Sequence, residues 1–530
     1  MSKITTLSNR FERGALSRRD FIGRAVAAGM SVSAASALAA KVAQAGAPKQ
    51  GGTLRLGMAD FATTDSLDPA LSETRMQLHL TWQLRNNLVE VGPGGSLHPE
   101  LAESWAGADD AARWVFKLRK GITFHDGKPF GPEDVIYSMN LHTKEDSKSS
   151  AKPFVAQIAE MKKTAPDEVT FTLASGNQDF PAILGLYNLC IVPDGTVDFE
   201  QGIGTGGYML ESFEPGVNAR VKRNPNYWKE GRAHFDGVEI IAIKDATART
   251  NALVSGQIDA YNFVDLKTVN LLERSEGVRL LQTQGKAHYA FAARTDTAPF
   301  DNKDARLALK YGIDRADILQ KILKSYGSLG NDQPISASYR FFNQNLEQRP
   351  YDPDKAAFHA KKAGIDGVAL PLHVAETPFV GATDTAILYS EHMKKAGLNL
   401  EVVREPDDGF WSNVWAQKPF FATRWSGRIT EDVMLSTAYS AAAMKTGWNE
   451  TYFDDERLNK LIDSARVEAD EAKRRQMYGE AQAIIRDDGG IVVPVFADWV
   501  DATNDKIATG PLSSEFELDG GRCSERWWFA

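Results

Sequence analysis

The sequence predicts a mixed α/β protein built from at least two lobes. Three observations carry this expectation. The chain has 530 residues, more than a single hydrophobic core supports. Apolar residues alternate at period two in some segments and recur near every fourth position in others. The composition, with 43 % hydrophobic and 25 % charged residues, 43 Gly and 22 Pro, is that of a packed globular protein with generous loops. A formal charge of -9 provides no positive field for a polyanion, which excludes nucleic acid as a partner. Two cysteines, Cys190 and Cys523, cannot form a thiolate metal cage by themselves.

Residues 1–45 read as an address rather than as structure. Lys3, Arg10, Arg13, Arg18, Arg19 and Arg24 give a basic start, followed by a weakly apolar Ala/Gly/Ser run and the small-x-small triplet Ala43-Gln44-Ala45. Arg18-Arg19 followed by Asp20-Phe21-Ile22 forms a twin-arginine pattern, and the mild hydrophobicity after it suits that route. An anchor helix is the alternative, but the run is short and Gly/Ser-rich for a hydrocarbon layer of about 30 Å. Removing this leader makes the remainder more acidic still. In an oxidising compartment Cys190 and Cys523 either bridge or stay separate thiols, since sequence does not supply their separation.

In chain order, residues 52–57 (GTLRLG) alternate as a strand, and a polar loop closes at Asp68-Pro69. Met76, Leu80, Leu84 and Leu88 predict a helix over 76–89. Residues 114–119 alternate as a strand. Pro132 with Glu133 and Asp134 opens a helix, Pro early and acids in the first turn. Gly202-x-Gly204-x-x-Gly207 matches the dinucleotide fingerprint formally, but residues 208–215 leave it as an extended, Pro-ended segment, so a glycine turn is expected. Leu458, Leu461, Ile462 and Ala465, then Met477, Ala481, Ile484 and Ile485, predict two helices with Asp470 capping the second. Residues 492–496 read as a buried strand in which Pro494 marks an edge or a crossing between lobes.

The commonest catalytic signatures are missing: no G-x-S-x-G, no H-E-x-x-H, no phosphate loop and no Ca-loop spacing. His125-Asp126 is the one adjacent His/carboxylate pair in a promising turn, and its flanks, Phe124 and Gly127, favour a structural role. No cofactor and no metal are predicted.

Several longer stretches resemble one family. Leu67-Asp68-Pro69-Ala70, Leu97-His98-Pro99-Glu100-Leu101-Ala102-Glu103-Ser104-Trp105 and residues 114–119 and 121–130 are similar, in order and spacing, to the family 5 solute-binding proteins of bacterial ABC importers. Thr205-Gly206-Gly207-Tyr208, residues 223–228, 300–306 and 311–315, Tyr351-Asp352-Pro353 and Lys394-Lys395-Ala396-Gly397 extend the likeness over the whole chain after the leader. The resemblance implies a two-lobed, hinged periplasmic binding protein fold, type II-like, with an extra domain inserted in lobe one. The implied organisation is a leader (1–45), lobe one part a (46–88), the inserted subdomain (89–200), lobe one part b (201–294), lobe two (295–492) and a C-terminal return to lobe one (493–530). Crossings between lobes are expected near residues 288–294 and 491–496.

Peptide-binding members of that family place an acid three positions after a tryptophan in lobe two, where it holds the ligand's α-ammonium. The matching stretch here is Arg424-Trp425-Ser426-Gly427-Arg428, with the charge reversed. An arginine fork pairs with carboxylate or phosphate and repels an ammonium, which points to an anionic ligand. The alternative is that Arg428 pairs with Glu431 or Asp432 on its own segment. Trp425 and Arg428 are therefore candidate ligand contacts, Trp448 is a second aromatic candidate, and Phe61 is the candidate from lobe one. Arg294 is expected to close a salt bridge between lobes, and Thr377-Pro378-Phe379 could line the cleft.

The resemblance implies a monomeric periplasmic protein, without catalysis, that captures a short peptide or small polar, partly anionic solute by lobe closure. Its partners are then that ligand and the membrane permease subunits. The competing classes are an exported hydrolase with an unrecognised active site and a sensory binding protein that docks on a chemoreceptor.

Overall fold

The computed structural model describes residues 23–25 and 48–530 except residue 146. Apart from 23–25, the leader expected over 1–45, with its twin-arginine pattern and cleavage triplet, lies outside the described residues.

One sheet of eleven strands runs through the molecule. Its first half contains Tyr208–Glu214, Asn218–Arg223, Gly237–Ala242, Thr53–Met58 and Ala260–Tyr261. Its second half contains Phe420–Trp425, Ala369–Val374 and Asn399–Arg404. Two long strands, Val278–Ala293 and Ile491–Asn504, join the halves as an antiparallel ribbon. The crossings expected near 288–294 and 491–496 are the second-lobe ends of this longer ribbon. Pro494 falls where the ribbon's register shifts between Tyr289 and Phe291, so the missing N–H costs no regular ladder bond. A second shift, between Thr283 and Ala287, contains Gly285, where a Cβ would stand 2.2 Å from the Ala497 carbonyl oxygen.

Strand sense decides where a cleft can form. Ile491–Asn504 is antiparallel both to Val278–Ala293 and to Ala260–Tyr261, and Ala260–Tyr261 is parallel to Thr53–Met58. Thr53–Met58 therefore runs in the sense of Val278–Ala293, toward the second lobe. Phe420–Trp425 is antiparallel to Val278–Ala293 and runs toward the first. The carboxyl ends of both parallel sets face each other, and the crevice outside such ends is where open α/β sheets bind ligands.

Each half has its own core. Leu54, Leu56, Tyr208 and Phe235 pack the first lobe, and Phe291, Leu372, Tyr389 and Phe420 pack one face of the second. Residues 102–173 build a separate four-stranded antiparallel sheet covered by the helix Pro132–Thr143, closed around Phe116, Phe171 and Phe180. Burying each such ring contributes about 1.5–3 kcal/mol.

Local signals place most elements. Thr74 and Gln77 form a capping box that starts the helix Arg75–Leu84. That helix is shorter than the 76–89 expected. Arg85 is extended and donates to the Leu67 carbonyl at 2.6 Å, while the Asn86 and Asn87 amides bond elsewhere, so the turn cannot continue. Asp470 caps Glu471–Asp488 as expected. The glycine fingerprint leads into a strand, Tyr208–Glu214, rather than a helix. Cys190 and Cys523 are separate, buried thiols, which removes the bridge alternative, and burial pushes both thiol pKa values up.

Candidate ligand-binding cleft

Strand Phe420–Trp425 ends at the crevice, and its last residues project the candidate site. Trp425 is buried, and its indole N–H donates to Glu450 Oε1 at 2.8 Å. Thr423 Oγ1 donates to Glu450 Oε2 at 2.8 Å, and Trp415 Nε1 donates to the same oxygen. Glu450 thus accepts from three neutral donors, and burial raises its pKa. This clamp fixes the plane of the Trp425 ring.

Gly427 then turns the chain at φ +86°, where a Cβ would stand 2.4 Å from the Lys286 Cβ, so both the dihedral and the close approach require glycine. The turn brings Arg428 back over Trp425, its guanidinium carbon 4.9 Å from the ring centre. Arg428 Nη1 donates to the Gly427 carbonyl at 2.8 Å, and its backbone N–H donates to Tyr339 Oη at 2.7 Å. Burial lowers the pKa of this guanidinium.

The expected alternative for Arg428 does not hold. Glu431 accepts the Phe341 N–H at 2.5 Å, and Asp432 pairs with Arg466 at 3.1 Å. Among the described residues Arg428 has no carboxylate partner. Arg424, one residue before Trp425 and so on the opposite face of the strand, is exposed, pairs across the ladder with Tyr289 and donates to Ser426 Oγ at 3.3 Å.

Trp448 is half-exposed and belongs to the same cluster, its ring 5.9 Å from Trp425 and 5.7 Å from Trp415. Phe61 lies on the other side, partly buried against the core of the first lobe. The structure therefore brings Trp425, Arg428 and Trp448 together and leaves Phe61 on the opposite wall. Phe379 is core: it is buried and stacks on Tyr289 at 4.1 Å. Arg294 does not bridge the lobes. It pairs with Asp296, two residues away, at 2.8 Å and covers the Tyr452 ring. His125 Nε2 bonds the Gly206 carbonyl at 3.1 Å, the structural role expected of it.

Sequence reasoning missed the opposite wall. Arg75, the first residue of its helix, lies 4.8 Å from the Phe516 ring and 3.6 Å from Glu517. Asp60 accepts the Arg75 N–H at 3.2 Å, and both charges act on Arg424, so the walls face one another here. Lys286, on the ribbon, donates to Glu515 at 2.6 Å and to the Ile429 carbonyl at 3.2 Å, tying the C-terminal return to the segment after Arg428. The tail leaves this position through Leu518 and Asp519, two non-glycine residues at φ +48° and +63°. Leu518 N–H bonded to Asp501 at 2.6 Å and Ser513 N–H bonded to Asp519 at 2.8 Å hold that strained turn. No motif announces these residues, because they meet only in three dimensions.

Residues 96–446 match the family described as Bacterial extracellular solute-binding proteins, family 5 Middle. Heme-binding protein A of Haemophilus influenzae is 28 % identical over 311 residues, a stretch covering 53 % of this chain and 56 % of that protein. Di/tripeptide-binding protein 1 of Pseudomonas aeruginosa is 25 % identical over 441 residues, covering 76 % of this chain and 81 % of that one. The solved ABC transporter substrate binding protein CtaP from Listeria monocytogenes is 20 % identical and shares the fold, with a TM-score of 0.78 over 91 % of this chain and all of that chain. With two thirds of its length matched by the family and its two α/β halves hinged on a ribbon, this chain belongs to the family 5 bacterial extracellular solute-binding proteins.

Proposed function

We propose that this protein is the substrate-binding component of an ABC importer, closing on a small anionic solute and delivering it to the permease subunits. The observation that carries the anion is Arg428, a half-buried guanidinium stacked on Trp425 with no carboxylate beside it among the described residues. An α-ammonium at this position would be repelled, whereas a carboxylate or phosphate would complete the fork. The solute class is accordingly an opine-like or amino-acid-derived acid, or an acylated or phosphorylated compound. Trp448 offers it an exposed aromatic face, and Phe61 lies on the facing wall.

Capture rather than turnover is the reading that fits these groups, which hold charge and present rings without a paired nucleophile and base. The protein works as a monomer in the periplasm, exported by the twin-arginine route. Replacing Arg18 and Arg19 by Lys is expected to retain precursor in the cytoplasm, and exported protein is expected to begin at Gly46. Normal export of the Lys pair would remove this route.

Mass spectrometry of material copurifying with the native protein identifies the solute, and titration calorimetry then measures it. Arg428→Ala is expected to weaken binding by about 2–5 kcal/mol, because the ligand's charge stays buried without its partner. Arg428→Lys should recover part of this loss, since an ammonium keeps the charge without the fork. Wild-type affinity in Arg428→Ala would reject the anion reading and restore ordinary peptides as substrates.

A further inference from the structure

The first lobe holds a second cavity, of about 680 Å3, away from the cleft. It opens beside Pro48 and His234, at the amino end of strand Thr53–Met58, whose carboxyl end leads to the cleft. Six strand residues at about 3.3 Å each separate the two by roughly 20 Å.

Beneath the cavity lies a charge network that satisfies itself. Lys229 reaches Glu90 and Glu100 at 2.7 Å and Glu525 at 3.0 Å. Arg522 pairs with Glu100 at 2.9 Å, and Arg526 with Glu90 at 2.6 Å and Asp519 at 3.2 Å. Arg119 lines the cavity and stands outside that network. Its Nε donates to the Glu100 carbonyl at 2.6 Å, its guanidinium stacks 5.3 Å from the Trp228 ring centre, and it has no carboxylate partner among the described residues. The bond and the stack fix the guanidinium plane while the two terminal nitrogens keep their donors. Arg232 adds a second guanidinium, 3.9 Å from Glu90. Trp528 and Pro511 supply an apolar wall, and of the three acids in the lining Glu90 and Asp519 are neutralised by Lys229 and Arg526 while Glu230 is solvent-exposed.

We propose that this cavity is a second binding site, taking a small carboxylate with a planar apolar body whose carboxylate pairs with the Arg119 fork while the body lies against Trp528. A rigid fork matches a carboxylate bidentately, indole faces take planar groups, and the volume is that of a small-molecule pocket. This site is independent of the solute held in the cleft.

The test is 19F NMR of 4-fluorobenzoate with the full exported protein, using Arg119→Gln, Arg119→Lys and Arg428→Ala variants checked by thermal melting. Saturable broadening of the probe is expected for the wild type and for Arg428→Ala. Affinity is expected to fall at least tenfold in Arg119→Gln and at least fivefold in Arg119→Lys, which retains the charge if the Gln variant does not fold. Absence of saturable broadening in the wild type, wild-type affinity in folded Arg119→Gln or in Arg119→Lys, or loss in Arg428→Ala would each overturn the proposal, the last by moving the probe into the cleft.

Discussion

Among the described residues Glu450 has no cation beside it, yet Trp415, Thr423 and Trp425 all donate to it. Two oxygens accepting three hydrogen bonds satisfy this carboxylate without a salt bridge. Glu450→Gln puts an NH2 group where an acceptor is needed and leaves at least one buried donor facing another donor. The expected cost is about 1–3 kcal/mol of stability, read as a lower urea midpoint, together with a loosened Trp425 ring. An unchanged midpoint would mean that the indoles bond elsewhere. At this scale Trp425 and Arg428 were legible because they sit in one short stretch with a familiar spacing. Glu450 was not, because it lies 25 residues from Trp425 and 35 from Trp415. Arg428's freedom from Glu431 and Asp432 was equally hidden: spacing allows those pairs, and only the fold engages both acids elsewhere.

The C-terminal helix Cys523–Arg526 has four residues, too few to hold itself by helix propensity. Its anchor is ionic. Burial works to raise the Glu525 carboxyl, but Lys229 and Arg522 outweigh it and hold its pKa down to about 2. Glu90 lies well below its ordinary value, Lys229, Arg522 and Arg526 overcoming its burial in the same way. Glu517 is also held to about 2, by Arg75 and His79 against burial. Folded pKa values below the unfolded ones contribute stability that is complete above about 4.5 and is lost as pH falls toward 2. The network's share of the urea midpoint, the difference between wild type and Lys229→Met, should therefore be flat from pH 7 to about 5 and shrink steeply below. The buried neutral His142 and His288, held down to about 4 and about 3, begin to erode the total below about pH 6.5. Lys229→Met, which leaves three carboxylates without their shared cation, should lower stability at pH 7 by about 3–5 kcal/mol and flatten the acid limb. A Lys229→Met protein with the wild-type acid profile would count against the network. Local patterns read the elements well where caps and periodicity agree, as at Asp470 and Pro132. They overran at 76–89, where apolar spacing continues through Leu88 but the side chains of residues 85–87 bond to other segments.

On the scale of the molecule, the order of family-like stretches made the two lobes and the inserted domain legible. The way the inserted domain meets the second lobe was not, because its partners are 295 residues apart. Asp179 pairs with Arg474 at 2.8 Å with both side chains buried, and beside them the Gln178 N–H donates to the Arg466 carbonyl at 2.8 Å. Val433 of the second lobe packs into the inserted domain's core. These contacts join bodies connected only through the ribbon, so separation of the lobes breaks them and returns Asp179 and Arg474 to water. They stabilise the closed arrangement without touching the cleft. Apparent affinity scales with the fraction of protein able to close, so weakening this latch should weaken ligand binding at a distance. Asp179→Asn removes the charge and keeps the shape, and is expected to lower affinity for the copurified solute about tenfold, chiefly through faster dissociation. X-ray scattering should then show a radius of gyration that contracts on ligand binding in the wild type, and a larger ligand-free radius in Asp179→Asn that contracts only at higher ligand concentration. If Asp179→Asn binds and contracts like the wild type, the pair is a passenger of closure, and the clamp is held by the ribbon, Lys286 and the ligand alone.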